Sequence, residues 1–208
     1  RLSSSLLLLA KQNADKPIVG ASLVQRLEMM EMVAEAQEEA VLCGVTAHPL
    51  FVDKASALRS LCGDEARVAV LVGYDTWVRI IDPKYYGGKA GLDAALKQIF
   101  DAVEVMVASR EESSVGGGGS AAEQEAMVNS LPAELTRQRL HFVHNSPEMA
   151  PLSSSAIRKA ISADPKAGGE AAKAGAAAGG ESSLNARVRE MLPECLHAYV
   201  EGQHLYRE

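Results

Sequence analysis

The sequence predicts an α/β protein: an open parallel sheet with helices on both faces. Three observations carry that reading. Continuous apolar runs occur at 6–10 and 68–72, and 103–108 is apolar but for Glu104, as expected of strands covered on both faces of a parallel sheet. Between them lie segments whose apolar residues repeat at helical spacing, and this strand-helix alternation is the mark of a doubly covered sheet. The 208 residues, 47% of them apolar, suffice for one substantial core, so a single domain is expected over 1–208.

Taken in order, the run at 6–10 ends in Asn13, Asp15 and Pro17 and reads as a buried strand followed by a loop. Ser22 and Gln25 have the spacing of a capping box. Leu23, Leu27, Met30, Ala34 and Val41 then fall on one helical stripe, which predicts a helix to about residue 40. Residues 41–47 are the next candidate strand. Phe51, Ala55, Leu58 and Leu61 predict a helix that Gly63 stops. Val68-Ala-Val-Leu-Val72, closed by Gly73, is the clearest core strand. Leu92, Leu96, Ile99 and Phe100 mark an amphipathic helix over about 92–100, with a strand at 103–108 after it. A short strand at 140–144 and two terminal helices, 184–192 and 193–201, complete the set, Pro193 taking an allowed first-turn position.

Two segments break the pattern. Residues 113–125 surround four consecutive glycines, and 163–183 are almost entirely Ala, Gly, Lys and Glu. Neither carries enough large apolar surface to pack, so both are expected to be flexible surface insertions.

A formal charge of −6 provides no basic field of the kind that non-specific nucleic-acid or acidic-membrane binding needs, so neither partner is expected. Cys43, Cys62 and Cys195 have no CxxC or Cys/His spacing. They are expected to be buried small hydrophobes in a reducing intracellular compartment, cytoplasmic or nuclear. The apolar run at 6–10 is far shorter than the roughly 20 residues of a membrane span and lacks the flanks of a secretory signal. The sequence opens on Arg1 directly before a strand-like run, which suggests a fragment or a processed product. Oligomers are allowed and not required.

Gly73-Tyr74-Asp75 follows the carboxyl end of the strongest strand, where open α/β sheets bind ligands because loops converge there. Gly73 would let backbone approach a ligand, and Asp75 would accept hydrogen bonds from ribose hydroxyls; an ordinary turn has the same sequence. Ser153-Ser-Ser-Ala-Ile-Arg158 reads as a serine-capped helix with Arg158 in its first turn. Free N–H groups, serine hydroxyls and a planar guanidinium together suit a phosphate, although a plain serine cap with a solvated arginine fits equally. Trp77 either packs in the core or stacks on a base. Asp82-Pro-Lys-Tyr-Tyr86 is either a structural lid or a ligand contact. His48, His141, His144, His197 and His204 show no metal-ligand spacing, and no nucleophile motif or Walker loop is present, so no catalytic residue and no metal site is assigned.

Several strings, in this order, resemble the mononucleotide adenylyltransferases of the HxGH-type nucleotidylyltransferase superfamily, nearest its eukaryotic cytidylyltransferase-like branch. Asn13-Ala-Asp-Lys16 with Gln25-Arg-Leu-Glu-Met-Met30 is similar to that family's post-strand loop and Arg-Leu-x-Met helix. Leu71-Val-Gly-Tyr-Asp-Thr-Trp-Val-Arg79 is similar to its Gly-x-Asp segment, and Leu152-Ser-Ser-Ser-Ala-Ile-Arg158 to its Ile-Ser-Ser-Thr-x-Ile-Arg motif. The tail Leu192-Pro-Glu-Cys-Leu-His-Ala-Tyr-Val200, then His204-Leu-Tyr206, resembles its closing helix.

The resemblance implies a Rossmann-like fold in which Gly73 and Asp75 hold the adenosine part of ATP and Ser154, Ser155 and Arg158 its phosphates. Lys16, Arg26 and Trp77 would face the mononucleotide. It further implies a reaction between ATP and nicotinamide or nicotinate mononucleotide, with Mg2+, giving NAD or its deamido form and pyrophosphate. The family's first strand and its His-x-Gly-His loop have no counterpart before His48. This chain is therefore expected to bind nucleotide with catalysis crippled, and the full-length parent to be active. Two alternatives stay open: another acceptor on the same fold, or a non-catalytic nucleotide-binding or interaction module.

Overall fold

The computed structural model describes residues 4–11, 20–110, 119–150, 152–163 and 184–207. These divide into two compact units, Arg1–Ala47 with Leu152–Glu208, and His48–Pro151. Parallel strands flanked by helices are found in both, as an open Rossmann-like α/β protein requires.

In the first unit, β1 (Ser5–Ala10) and β2 (Val41–Thr46) pair in parallel, from Ser5 opposite Val41 to Ala10 opposite Thr46. The crossover between them contains α1 (Leu23–Glu35), whose capping box forms as the sequence implies. The Gln25 N–H donates to Ser22 Oγ at 3.2 Å, and the Ser22 N–H to Gln25 Oε1 at 2.9 Å, satisfying two amides that a helix start leaves without partners. The helix ends at Glu35, short of the expected residue 40. Gln37 Nε2 caps the Val33 carbonyl at 3.2 Å, and Val41, read as part of the helical stripe, opens β2 instead.

The other elements among this unit's described residues are helical: α7 (Ser154–Ser162), α8 (Ala186–Met191), a 3-10 turn over Glu194–Leu196 and α9 (His197–Gly202). Pro193 stands one residue ahead of that turn, as its cap. Ala21, Ile161, Leu184, Val188, Leu196, Val200 and Leu205 form the core, against Met29, Met32 and Val33 of α1. Gly20 has φ +86°, and the Tyr206 ring lies where its Cβ would be, so both shape and dihedral require glycine there.

In the second unit, β3 (Ala69–Gly73), β4 (Glu104–Ala108) and β5 (Leu140–Val143) form a parallel sheet in the order β3-β4-β5. Around it lie α2 (Phe51–Cys62), α3 (Tyr74–Ile80), a 3-10 turn at Pro83–Tyr86, α4 (Lys89–Ala102), α5 (Ala121–Asn129) and α6 (Ala133–Thr136). Gly63, at φ +78°, closes α2 as expected. No basic residue of α4 itself lies in its last turn. Two arginines from elsewhere serve its carbonyls: Arg59 Nε donates to Ala102 at 2.9 Å, and Arg139 Nη1 to Phe100 at 3.0 Å, placing positive charge at the negative end of the helix dipole.

Several sequence expectations are corrected here. The two buried apolar runs are not buried on both faces: Leu6 and Leu8 of β1 are exposed, and Leu71 of β3 is 65% exposed. The most buried strand is β4, where Val105 and Val107 have no exposure, because it lies between two neighbours while β3 lies at the edge of its sheet. A continuous apolar run identifies a strand but not which face another layer covers. Residues 120–125, read as part of a flexible insertion, instead carry the Ser120 capping box and the start of α5. The other insertion, 163–183, lies outside the described residues beyond Ala163. The cysteines are not buried either: Cys62 is exposed, and Cys43 and Cys195 are half-buried.

Candidate functional site

Gly73, Ala108 and Val143 stand in register at the carboxyl ends of the three strands of the second unit. The residues that follow therefore emerge along one edge: Tyr74 and Asp75, Ser109 and Arg110, His144 and Asn145. Asp75 sits in the first turn of α3, which begins directly after β3 with Gly73 as its cap. Gly73 has an ordinary extended backbone, φ −75° and ψ 156°, so no dihedral demands glycine. A Cβ there would crowd Arg110 Nε at 3.3 Å, close enough that the arginine must give by a few tenths of an ångström. The same Nε is 3.8 Å from Asp75 Oδ2, an ion-pair distance too long for a hydrogen bond.

Arg110 is fixed through its backbone. Gln124 of α5 is fully buried. Its Oε1 accepts the Arg110 N–H at 3.0 Å, and its Nε2 donates to the carbonyls of Arg110 at 2.8 Å and Gly119 at 2.9 Å. Ser109, also buried, is held likewise: its Oγ accepts the Asn145 N–H at 2.8 Å and its carbonyl accepts Asn145 Nδ2 at 2.7 Å. Buried polar groups joined in this way hold a single arrangement, because each lost bond would strand a partner away from water.

Trp77 lies in α3 with no exposed surface, in the same core as Leu96, Ile99 and Phe100. Its Nε1 has no hydrogen-bond partner among the described residues. The mononucleotide-facing assignment is corrected on this ground: the ring is enclosed by packing and offers a ligand no face. Lys84 is engaged locally, its ammonium 2.9 Å from Asp82 Oδ2 and 4.7 Å from the Tyr85 ring centroid, and its hydrogen bond to Asp82 draws that carboxyl below the ordinary range.

In the first unit, Ser153 is the cap of α7, its Oγ accepting the Ala156 N–H at 3.0 Å. Arg158 is therefore in the second helical turn rather than the first, because the earliest serine takes the cap. Helical side chains lean toward the amino end, and the guanidinium does reach back: Nε donates to the Ser154 carbonyl at 3.0 Å and Nη2 to Ser155 Oγ at 3.3 Å. Ser154, Ser155 and Arg158 are thus brought together at the start of a helix. Arg26 Nε donates to the Ala21 carbonyl at 3.0 Å. Lys16 lies outside the described residues. Gly73 and Asp75 belong to the second unit, and the serines with Arg158 and Arg26 to the first.

No family model matches the chain. Among curated proteins, "Putative nicotinamide mononucleotide adenylyltransferase" of the fission yeast Schizosaccharomyces pombe is 34% identical over 137 residues, covering 65% of this chain and 54% of that protein. Over that stretch the chain is similar to this relative. It spans about half the length of this adenylyltransferase relative.

Of the residues in this network, the sequence reading singled out Gly73 and Asp75 but not Ser109, Arg110, Gln124 and Asn145. A usable signal was present: Ser109 follows the strand run at 103–108 just as Gly73 follows 68–72, and carboxyl ends are where such sheets bind. His144 pairs with Glu125 at 3.0 Å and His141 with Glu104 at 3.9 Å, and His197 Nε2 lies 3.0 Å from the Leu192 carbonyl oxygen. Among the described residues no group of three or more His, Cys, Asp or Glu side chains is placed to hold a metal, and no helix is long and apolar enough to cross a membrane.

Proposed function

We propose that this chain is the nucleotide-binding part of an adenylyltransferase that joins ATP to nicotinamide or nicotinate mononucleotide, releasing pyrophosphate. The observation that carries the reading is the register of Gly73, Ala108 and Val143, which gathers Asp75, Arg110 and Asn145 at the sheet edge where such folds bind nucleotides, in a chain 34% identical to a protein named for that activity. Asp75 accepts hydrogen bonds from the ribose hydroxyls of ATP, with Gly73 beside it. Ser154, Ser155, the amides of the first turn of α7 and Arg158 take phosphate oxygens. Lys16 and Arg26 serve the mononucleotide.

In this reaction a phosphate oxygen of the mononucleotide attacks the α-phosphorus of ATP, and the bond to the β-phosphate oxygen breaks. The protein's part is alignment and neutralisation of developing charge. Mg2+ dehydrates reluctantly and is held mainly by substrate phosphates with one or two carboxylates, so it enters with the triphosphate and supplies charge neutralisation there. None of the five histidines stands in a His-x-Gly-His string.

The test is pyrophosphate release by the full-length protein with ATP and a panel of mononucleotides. Release with nicotinamide or nicotinate mononucleotide is expected. No release above background with either would overturn the proposal, and release with a different acceptor alone would reassign it.

A further inference from the structure

We infer that Gly73, Arg110 and Gln124 form one positioning device for Asp75, and that Arg110 is the residue through which it acts. The device is read from contacts within the second unit and rests, for its purpose, on the proposal that Asp75 receives the ribose of a nucleotide.

A carboxylate that recognises two ribose hydroxyls must be held in one orientation, because a carboxylate free to rotate gives up part of each hydrogen bond to lost rotamer entropy. Asp75 stands in the opening turn of a short helix. Arg110 provides the restraint, its Nε lying 3.8 Å from Asp75 Oδ2 and itself out of contact with solvent. The two side chains are 28% and 35% exposed, so solvent screens the pair in part.

Arg110 must in turn be held. The fully buried Gln124 binds both its backbone N–H and its carbonyl, at 3.0 and 2.8 Å, so the residue leaves the end of β4 at a fixed angle. Its guanidinium then crosses Gly73, where a methyl group would come within 3.3 Å of Nε. The glycine ahead of Asp75 therefore leaves room for the Arg110 side chain. Three residues far apart in sequence thus act on one carboxylate.

The experiment is calorimetric titration of the full-length protein with ATP and with 2′,3′-dideoxy-ATP. The ratio of the two affinities isolates the ribose hydroxyls, and a merely structural role would lower both affinities together. Asp75→Ala is expected to abolish the preference for ATP. Arg110→Ala is expected to lower ATP affinity about tenfold, the scale of one hydrogen bond to a charged group, and to leave dideoxy-ATP affinity unchanged. Arg110→Lys should recover part of the preference and Gly73→Ala should lose part of it. Arg110→Gln, close in size, repeats the test should Arg110→Ala not fold.

If Asp75→Ala removes the preference while Arg110→Ala and Arg110→Gln keep it, the positioning role is overturned and the nucleotide site stands. If Asp75→Ala leaves the preference intact, the ribose contact itself is wrong, and both readings fall.

Discussion

Arg158 turns back along α7 to donate from Nε to the Ser154 carbonyl at 3.0 Å, which brings its guanidinium beside the Ser155 hydroxyl, 3.3 Å from Nη2. A cation at a helix start opposes the dipole, so an anion bound there would offset a standing cost. Arg158→Ala is expected to weaken ATP binding by about 1.5–3 kcal/mol, the range for hydrogen bonds to charged groups, with little change in thermal stability. Unchanged affinity by calorimetry would remove Arg158 from the site.

Gly91, inside α4, lies so close to the preceding turn that a Cβ would stand 1.8 Å from the Tyr86 carbonyl oxygen. In an open helix Gly→Ala gains about 1 kcal/mol; here backbone blocks the methyl. Gly91→Ala is expected to destabilise by roughly 1–3 kcal/mol, as overpacking does, read as a lower urea midpoint. A raised midpoint would contradict the packing of the 3-10 turn against α4.

Arg59 bonds four carbonyls through one planar group: those of Gly63 at 2.8 Å, Asp64 at 3.3 Å, Ala66 at 2.7 Å and Ala102 at 2.9 Å. Replacing it with Met keeps the stem and strands the acceptors, so a loss of about 2–3 kcal/mol is expected in chemical denaturation. Arg59→Lys should recover only a small part, because a point charge cannot fork. Equal stability of Arg59→Lys and the unsubstituted protein would show that charge alone suffices.

Much of the local structure was legible in the sequence because its causes are local. Ser22 and Gln25 cap one another three residues apart, and Gly63 ends α2 from the adjoining position. What escaped depends on residues distant in sequence. The short helix α3 begins on Tyr74, where the chain reads as a turn, and is held by burying Tyr74, Trp77 and Ile80 in the core. Ser120 and Glu123 were hidden by the glycine run before them. Asp75 was visible as a candidate, but Arg110 was not, since its significance appears only once parallel pairing sets Gly73 beside Ala108. The apolar runs named the strands correctly and misjudged their exposure for the same reason: coverage belongs to neighbouring layers.

The Tyr199 hydroxyl donates to the Glu28 carboxylate, and that bond pushes the phenol up from its ordinary value near 10 to about 12. An acid whose folded pKa is raised stabilises the fold fully below its unfolded pKa, and the contribution fades as pH climbs through the folded one. The urea midpoint of the unsubstituted protein should therefore fall more steeply between about pH 10 and 12 than that of Tyr199→Phe, which has no phenol to ionise. Parallel pH profiles for the two would show that the bond to Glu28 does not persist in solution.

The most direct test of the nucleotide site is the amide chemical-shift response of the 208-residue chain to added ATP. Saturable shifts at Gly73, Asp75, Arg110 and Asn145 are the expected result. A titration that leaves the carboxyl ends of β3, β4 and β5 unmoved, or moves only residues elsewhere, would contradict nucleotide binding at that edge.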